Sequence, residues 1–238
     1  MNKRSIFTIW IALGVGLFTP CAQAGDDDHF TQLRENMVSN DIEARGVNDE
    51  ETLRAMRTVP RHKFVAEDMV RMAYADRPLP IGHGQTISQP YIVAAMTELL
   101  KVDEGAVVLE IGAGSGYQAA VLAEIADRVY TIEIIPELAE LASSRMRDQG
   151  YDNVEVKAGD GYFGWEEHAP FDAIIVTAAA THIPPPLVEQ LRPGGRMVIP
   201  VGPPMRVQNM MLVEKQDDGS IRQRNIMPVR FVPLTGER

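Results

Sequence analysis

Cysteine is almost missing from this chain of 238 residues: Cys21 is the only one, and it lies in a segment whose pattern marks it for removal. Without it the chain has no disulfide, no thiol nucleophile and no cysteine metal ligand. The five histidines, His29, His62, His83, His168 and His182, fall at no paired ligand spacing, so no metal site is expected. Basic charge is also short, with 23 Lys and Arg against 33 Asp and Glu and a formal net charge of −10. A phosphate backbone demands a basic face, so nucleic acid is not an expected partner. Internal repeats and low-complexity tracts are absent. Methionine is frequent at 12 residues but scattered, which reads as core filling.

One long apolar run stands at the N-terminus. Lys3-Arg4 precede an apolar stretch over 6–18, Pro20 breaks it, and Ala22-Gln23-Ala24 offers small residues for cleavage. This is the pattern of a secretory signal peptide, residues 1–24, too short for a comfortable membrane span. An uncleaved anchor is the other reading of the same run. Phe18-Thr19-Pro20-Cys21 is a poor lipobox because proline precedes the cysteine. Cleavage after Ala24 removes Lys3 and Arg4 and no acid, taking the charge from −10 to −12. Residues 25–238 suffice for a single α/β domain, expected to be exported to the periplasm, with no membrane contact after cleavage.

The stretch that organises the rest is Val107-Val108-Leu109-Glu110-Ile111-Gly112-Ala113-Gly114-Ser115-Gly116-Tyr117, continuing as an Ala/Leu-rich segment to Ala123. A β-branched apolar run, a glycine turn and a helical pattern form the opening unit of a nucleotide-binding α/β sheet. Glycine is needed there because a ligand approaches the backbone closely. The spacing is G-x-G-x-G, with Tyr117 where a dinucleotide site has its last glycine. Glu110 would repel a pyrophosphate, whereas it suits hydroxyls or a cationic ligand. Spacing and acid together resemble the first motif of the S-adenosylmethionine-dependent methyltransferases. The implied fold is a doubly wound, mostly parallel, Rossmann-like sheet, with N-terminal helices and a C-terminal hairpin.

Around this unit the chain reads in order. Residues 29–45 pattern as an amphipathic helix on Phe30, Leu33, Met37 and Ile42. Asn48 and Glu51 have capping-box spacing for a second helix that buries Leu53, Met56 and Val59 and ends at Pro60. Residues 74–87, rich in Pro and Gly, read as a loop. A helix follows over 91–101, for which Ser88 is a candidate N-cap; its hydroxyl is also a candidate contact for a substrate carboxylate, and the two readings are compatible. Residues 129–133 form a strand ending in Glu133, 17 residues beyond Gly116, where a ribose would offer its hydroxyls. A helix over 136–149, an edge strand over 154–157 and a buried strand over 171–177 come next. Asp160, before Gly161, could accept from an adenine amino group or simply close an Asx-turn. A short helix over 187–191, a turn at 192–196, a strand over 197–201 and a terminal hairpin from 210 complete the pattern.

From Met37 onward the residues closely resemble the protein-L-isoaspartate (D-aspartate) O-methyltransferase family. The resemblance runs through residues 59–65, 80–94, 109–123, 131–138, 159–161, 170–180, 191–202 and 229–236, with Thr86-Ile87-Ser88-Gln89-Pro90 its most specific stretch. It implies that Ser88 is the active-site residue. It implies a cofactor pocket at Gln85, Thr86, Ile87, Ser88, Glu110, Ser115, Glu133, Asp160, Gly161 and Thr235, to which the motif glycines Gly112, Gly114 and Gly116 belong. The cofactor would be S-adenosylmethionine, and the substrates isoaspartyl and D-aspartyl proteins and peptides. Two departures stand out: family members are usually cytoplasmic, and some run beyond the position of Arg238.

A carboxylate acceptor is ionised at neutral pH and needs no general base. Alignment and desolvation are then the enzyme's work, and Ser88 would orient the acceptor rather than attack. A small-molecule O-methyltransferase and an inactive exported binding protein are the competing readings. A dehydrogenase is disfavoured by the glycine spacing. An N-methyltransferase of DNA or glutamine is disfavoured because Thr177-Ala178-Ala179-Ala180 stands where an Asn/Asp-Pro-Pro-aromatic turn would be. The protein is expected to act as a monomer.

Overall fold

A computed structural model describes residues 23–236. The expected signal peptide lies outside the described residues except for Gln23 and Ala24, which stand at the start of α1 (Gln23–Met37). Helical turns continue from α1 through residues 38–45, so the amphipathic segment begins earlier than its pattern suggested. Met37 and Ile42 are buried; Phe30 and Leu33 pack at the margin of the same core. Helix α2 (Glu50–Thr58) is capped by Asp49, whose carboxylate accepts from the Thr52 N–H at 2.8 Å. Asn48, the expected cap, instead turns back to donate to the Gly46 carbonyl at 2.8 Å.

Residues 74–87 hold a hairpin rather than a plain loop. Strands β1 (Leu79–Gly82) and β2 (Gln85–Ile87) pair Leu79 with Ile87 and Pro80 with Thr86. His83 and Gly84, both at positive φ (52° and 71°), make the two-residue turn whose twist matches an antiparallel ribbon. Leu79 and Ile87 are buried, which anchors this proline-rich ribbon on the core. Helix α3 (Pro90–Leu100) follows directly.

The main sheet has seven strands in the order β5-β4-β3-β6-β7-β8-β9. Strands β3 (Val107–Ile111), β4 (Arg128–Glu133), β5 (Val154–Ala158), β6 (Phe171–Val176) and β7 (Leu191–Val201) run parallel. Strands β8 (Gln208–Lys215) and β9 (Ile221–Val229) add the C-terminal hairpin. Strand β7 starts at Leu191, so residues 192–196 belong to an irregular strand and not to a free turn. Alternation along each strand sorts side chains into two cores. Val108, Ala173, Ile175 and Val198 pack beneath α2, α3 and α4 (Tyr117–Ala123), while Leu109, Ile111, Ile174 and Val176 face α6 (Pro185–Gln190). Helix α5 (Pro136–Gln149) joins β4 to β5.

The sheet is thus doubly wound, mostly parallel and Rossmann-like. The chain winds outward from β3 through β4 to β5, then restarts at β6 on the other side. That reversal opens a crevice beyond the carboxyl ends of β3, β4 and β6, the usual ligand position in such sheets. Among the described residues, no helix is long and apolar enough to cross a membrane. Among the same residues, no group of three His, Cys, Asp or Glu could hold a metal.

Candidate active site

The crevice is a cleft of ≈ 770 Å³, its open mouth included. Its floor is the turn between β3 and α4. Gly112 sits at φ 98°, and a Cβ there would come within 2.5 Å of Thr177 Oγ1. Thr177 explains the close fit, because its hydroxyl donates to the Gly112 carbonyl at 2.6 Å and so clamps the turn from the end of β6. Gly116, at φ 86°, precedes α4 in a left-handed conformation, and a Cβ there would come within 2.9 Å of the Met146 side chain on α5, so the glycine serves the packing of the turn on that helix.

At the neighbouring strand end, Glu133 is 5 % exposed and accepts two backbone bonds, from Gly114 N–H at 2.8 Å and Ile135 N–H at 3.0 Å. Those bonds fix the carboxylate at the cleft wall, where it keeps lone pairs for further donors. Ser115 lines the same wall, and its Oγ accepts from the Tyr117 N–H at 3.2 Å.

The opposite side comes from the hairpin. Gln85, Thr86, Ile87 and Ser88 all line the cleft, as do Gly161 and Thr235. Ser88 does not cap α3. Gln89 holds that place without a side-chain capping bond, its amide donating instead to Asp76 at 2.6 Å, and Asp76 caps from a distance by accepting the Tyr91 N–H at 3.0 Å. Relieved of capping, the Ser88 hydroxyl has no hydrogen-bond partner among the described residues. A second pocket of ≈ 990 Å³, its open mouth included, lies on its far side and shares Thr86, Ser88, Thr177 and Val232 with the first. Ser88 therefore stands at the junction of two compartments.

Three expected residues are placed elsewhere. Glu110 is fully buried beneath the cleft floor, accepting from the Thr131 hydroxyl at 2.5 Å, with its other oxygen unpartnered. Burial pushes its carboxyl up to about 8, the Thr131 bond opposing the shift and the charge of Glu133 adding to it. Asp160 closes an Asx-turn by accepting the Tyr162 N–H at 2.9 Å, against Gly236. Gly116 lies behind Tyr117, which lines the cleft in its stead.

The structure also adds residues that the sequence did not single out for the site. Thr177 follows a parallel strand at the switch point, a position that marks it as a lining residue. Gln118 lines the cleft from the first turn of α4 and donates to Thr97 Oγ1 at 3.0 Å. Val232, Pro233 and Leu234 form one wall, held by two backbone bonds to Ala179 at 2.7 and 2.8 Å. Nothing in their own pattern distinguished the first three of the closing residues from an ordinary tail.

The cleft can hold an elongated polar ligand with one end on a glycine turn and hydroxyls on Glu133. S-Adenosylmethionine fits that description, because no phosphate has to meet the buried acids and its hydroxyls meet a fixed carboxylate.

Comparison with known proteins agrees. The family model of protein-L-isoaspartate(D-aspartate) O-methyltransferase matches residues 32–238. A protein-L-isoaspartate O-methyltransferase 2 of Polaromonas sp. is 64% identical over 190 residues, covering 80% of this chain and 90% of that one. The Syntrophobacter fumaroxidans protein of the same name is 53% identical over 99% of both chains. A solved protein-L-isoaspartate O-methyltransferase superposes with a TM-score of 0.78 at 30% identity, over 85% of this chain and 66% of that one. A Plasmodium falciparum protein crystallised with S-adenosyl-L-homocysteine superposes at 0.73, 27% identical, over 87% of this chain and 98% of that one. From its glycine turn to its closing Val-Pro-Leu-Thr, the chain belongs to the protein-L-isoaspartate (D-aspartate) O-methyltransferase family.

Proposed function

We propose that this enzyme transfers a methyl group from S-adenosylmethionine to the free carboxylate of L-isoaspartyl and D-aspartyl residues in damaged proteins and peptides, the first step of their repair. The observation that carries this reading is the place of Ser88, between a cleft built for a nucleoside and a second cavity open to a peptide. The donor supplies a methyl group activated by its sulfonium. Glu133 would hold the ribose hydroxyls, and the glycine turn, Ser115, Gln85 and Thr235 would hold the rest. Ser88 would donate to the acceptor carboxylate and aim one of its oxygens, which becomes the ester oxygen. No residue has to take a proton, because the acceptor arrives ionised. The apolar walls exclude water from the reacting pair. The direct test is labelled S-adenosylmethionine with paired isoaspartyl and aspartyl peptides. Label in the isoaspartyl peptide alone is the expected result; equal labelling of both would overturn the assignment, and labelling of neither would favour a small-molecule acceptor.

The finer reading is that the protein is exported to the periplasm after loss of residues 1–24, and acts as a monomer without nucleic acid or membrane contact. Lys3-Arg4, the apolar run and Ala22-Gln23-Ala24 support export, and the charge of −12 after cleavage supports the absence of a nucleic-acid partner. Fractionation with N-terminal sequencing should give a periplasmic chain starting at Gly25. An intact N-terminus in the cytoplasm would overturn it in favour of the family's usual location. Gel filtration should show one chain per particle.

A further inference from the structure

Arg61 is completely buried, yet among the described residues it forms no ion pair. Its Nε donates to the Ala73 carbonyl and its Nη2 to the Ser88 carbonyl, each at 2.7 Å. Its guanidinium carbon lies 4.7 Å from the centroid of the Tyr117 ring, and its Nη1 has no hydrogen-bond partner among the described residues. Burying a cation without a counter-charge is costly. The three contacts indicate what the residue does instead. Ala73 precedes the β1–β2 hairpin and Ser88 follows it, so two ends of one ribbon hang on one planar fork. Tyr117 opens the helix that leaves the glycine turn. The fork therefore touches both the acceptor side of the cleft and the donor side.

We propose that Arg61 is a positioning residue for methyl transfer, setting the Ser88 wall at a fixed distance from the glycine turn through its bonds to the Ser88 and Ala73 carbonyls and its stacking on Tyr117. The inference rests on the methyltransferase reading above. In-line transfer depends on that distance more steeply than on either binding step, and a misplacement of about 1 Å costs about 10²-fold in rate. Loss of the fork should therefore lower kcat and spare ground-state binding.

The test uses Arg61→Gln and Arg61→Lys in the full-length enzyme, with kcat and KM for an isoaspartyl peptide, S-adenosylmethionine affinity by calorimetry, and Tm. Arg61→Gln should lower kcat by about 10²-fold with KM and cofactor affinity little changed. Arg61→Lys, which keeps the charge and N–H donors but not the planar fork, should recover part of that loss. In the Ser88→Ala background the Arg61→Gln penalty should vanish, since the two residues act on one group. Losses that simply add would overturn the proposal. So would an unchanged kcat, or a fall in cofactor affinity as large as the fall in kcat. Failure of both variants to fold would also overturn it, by making Arg61 a residue of the fold alone. A wild-type enzyme inactive on the isoaspartyl peptide would sink the functional reading itself, whereas active wild type with indifferent variants sinks only this inference.

Discussion

At neutral pH a carboxyl held near 8 is largely protonated, so Glu110 meets Thr131 as an acid and not as an anion. Its folded value lies above the ordinary 4.5, so the folded state binds the extra proton between those limits. The stability this contributes is full below about pH 4.5 and is lost as pH rises through about 8. The loss at high pH is bounded at roughly 5 kcal/mol. Glu110→Gln should flatten that part of the profile, measured as the difference in unfolding free energy between variant and wild type from pH 5 to 9. At the cleft wall the expected outcomes separate. Ser88→Ala should cut turnover by about 10²-fold and leave cofactor affinity unchanged. Glu133→Gln should weaken cofactor binding by about 10-fold to 10²-fold, the cost of charge-assisted hydrogen bonds, as read by calorimetry. The reason Glu133 was legible and Glu110 was not is strand geometry. A residue at a strand's end meets the crevice whichever way it points, whereas one inside the strand belongs to one face, and Glu110 shares the face of Val108.

Among the elements, the central strands, the glycine turn and the helices α3 and α5 could be read directly, because their apolar periodicity and the core they face agree. The β1–β2 ribbon could not. Pro78, Pro80, Gly82 and Gly84 signal a loop, and what makes a hairpin of them is the burial of Leu79 and Ile87 against residues distant in the chain. Two caps also differ from the pattern, one for a long-range reason and one locally. The α3 N-terminus is served by Asp76, 15 residues before Tyr91, and the α2 cap passed from Asn48 to Asp49 by one position. Asp49→Ala should therefore destabilise the protein by about 1 kcal/mol, and Asn48→Ala by less, compared through their denaturant midpoints.

On the scale of the whole molecule, the seven-stranded sheet and its helices build the cleft's floor, the β1–β2 hairpin one side, and residues 232–235 a further wall. Deleting residues 231–238 leaves every strand of the main sheet in place. The shortened chain should keep its far-UV circular dichroism while binding S-adenosylmethionine about tenfold more weakly or worse, since two backbone bonds to Ala179 and an apolar wall go with the deletion. The two hydrogen bonds and the stacking of Arg61 would survive that truncation, so acceptor alignment and donor capture are separable properties of this fold.

The bond pair between Ala179 and the Val232–Leu234 segment also sets an order of events. That segment is made after every strand, so a growing or translocating chain carries an unfinished donor pocket until residues 232–235 are free. A chain that crosses a membrane as an unfolded thread could take no methyl donor along, and would have to find its supply on the side where it finally folds.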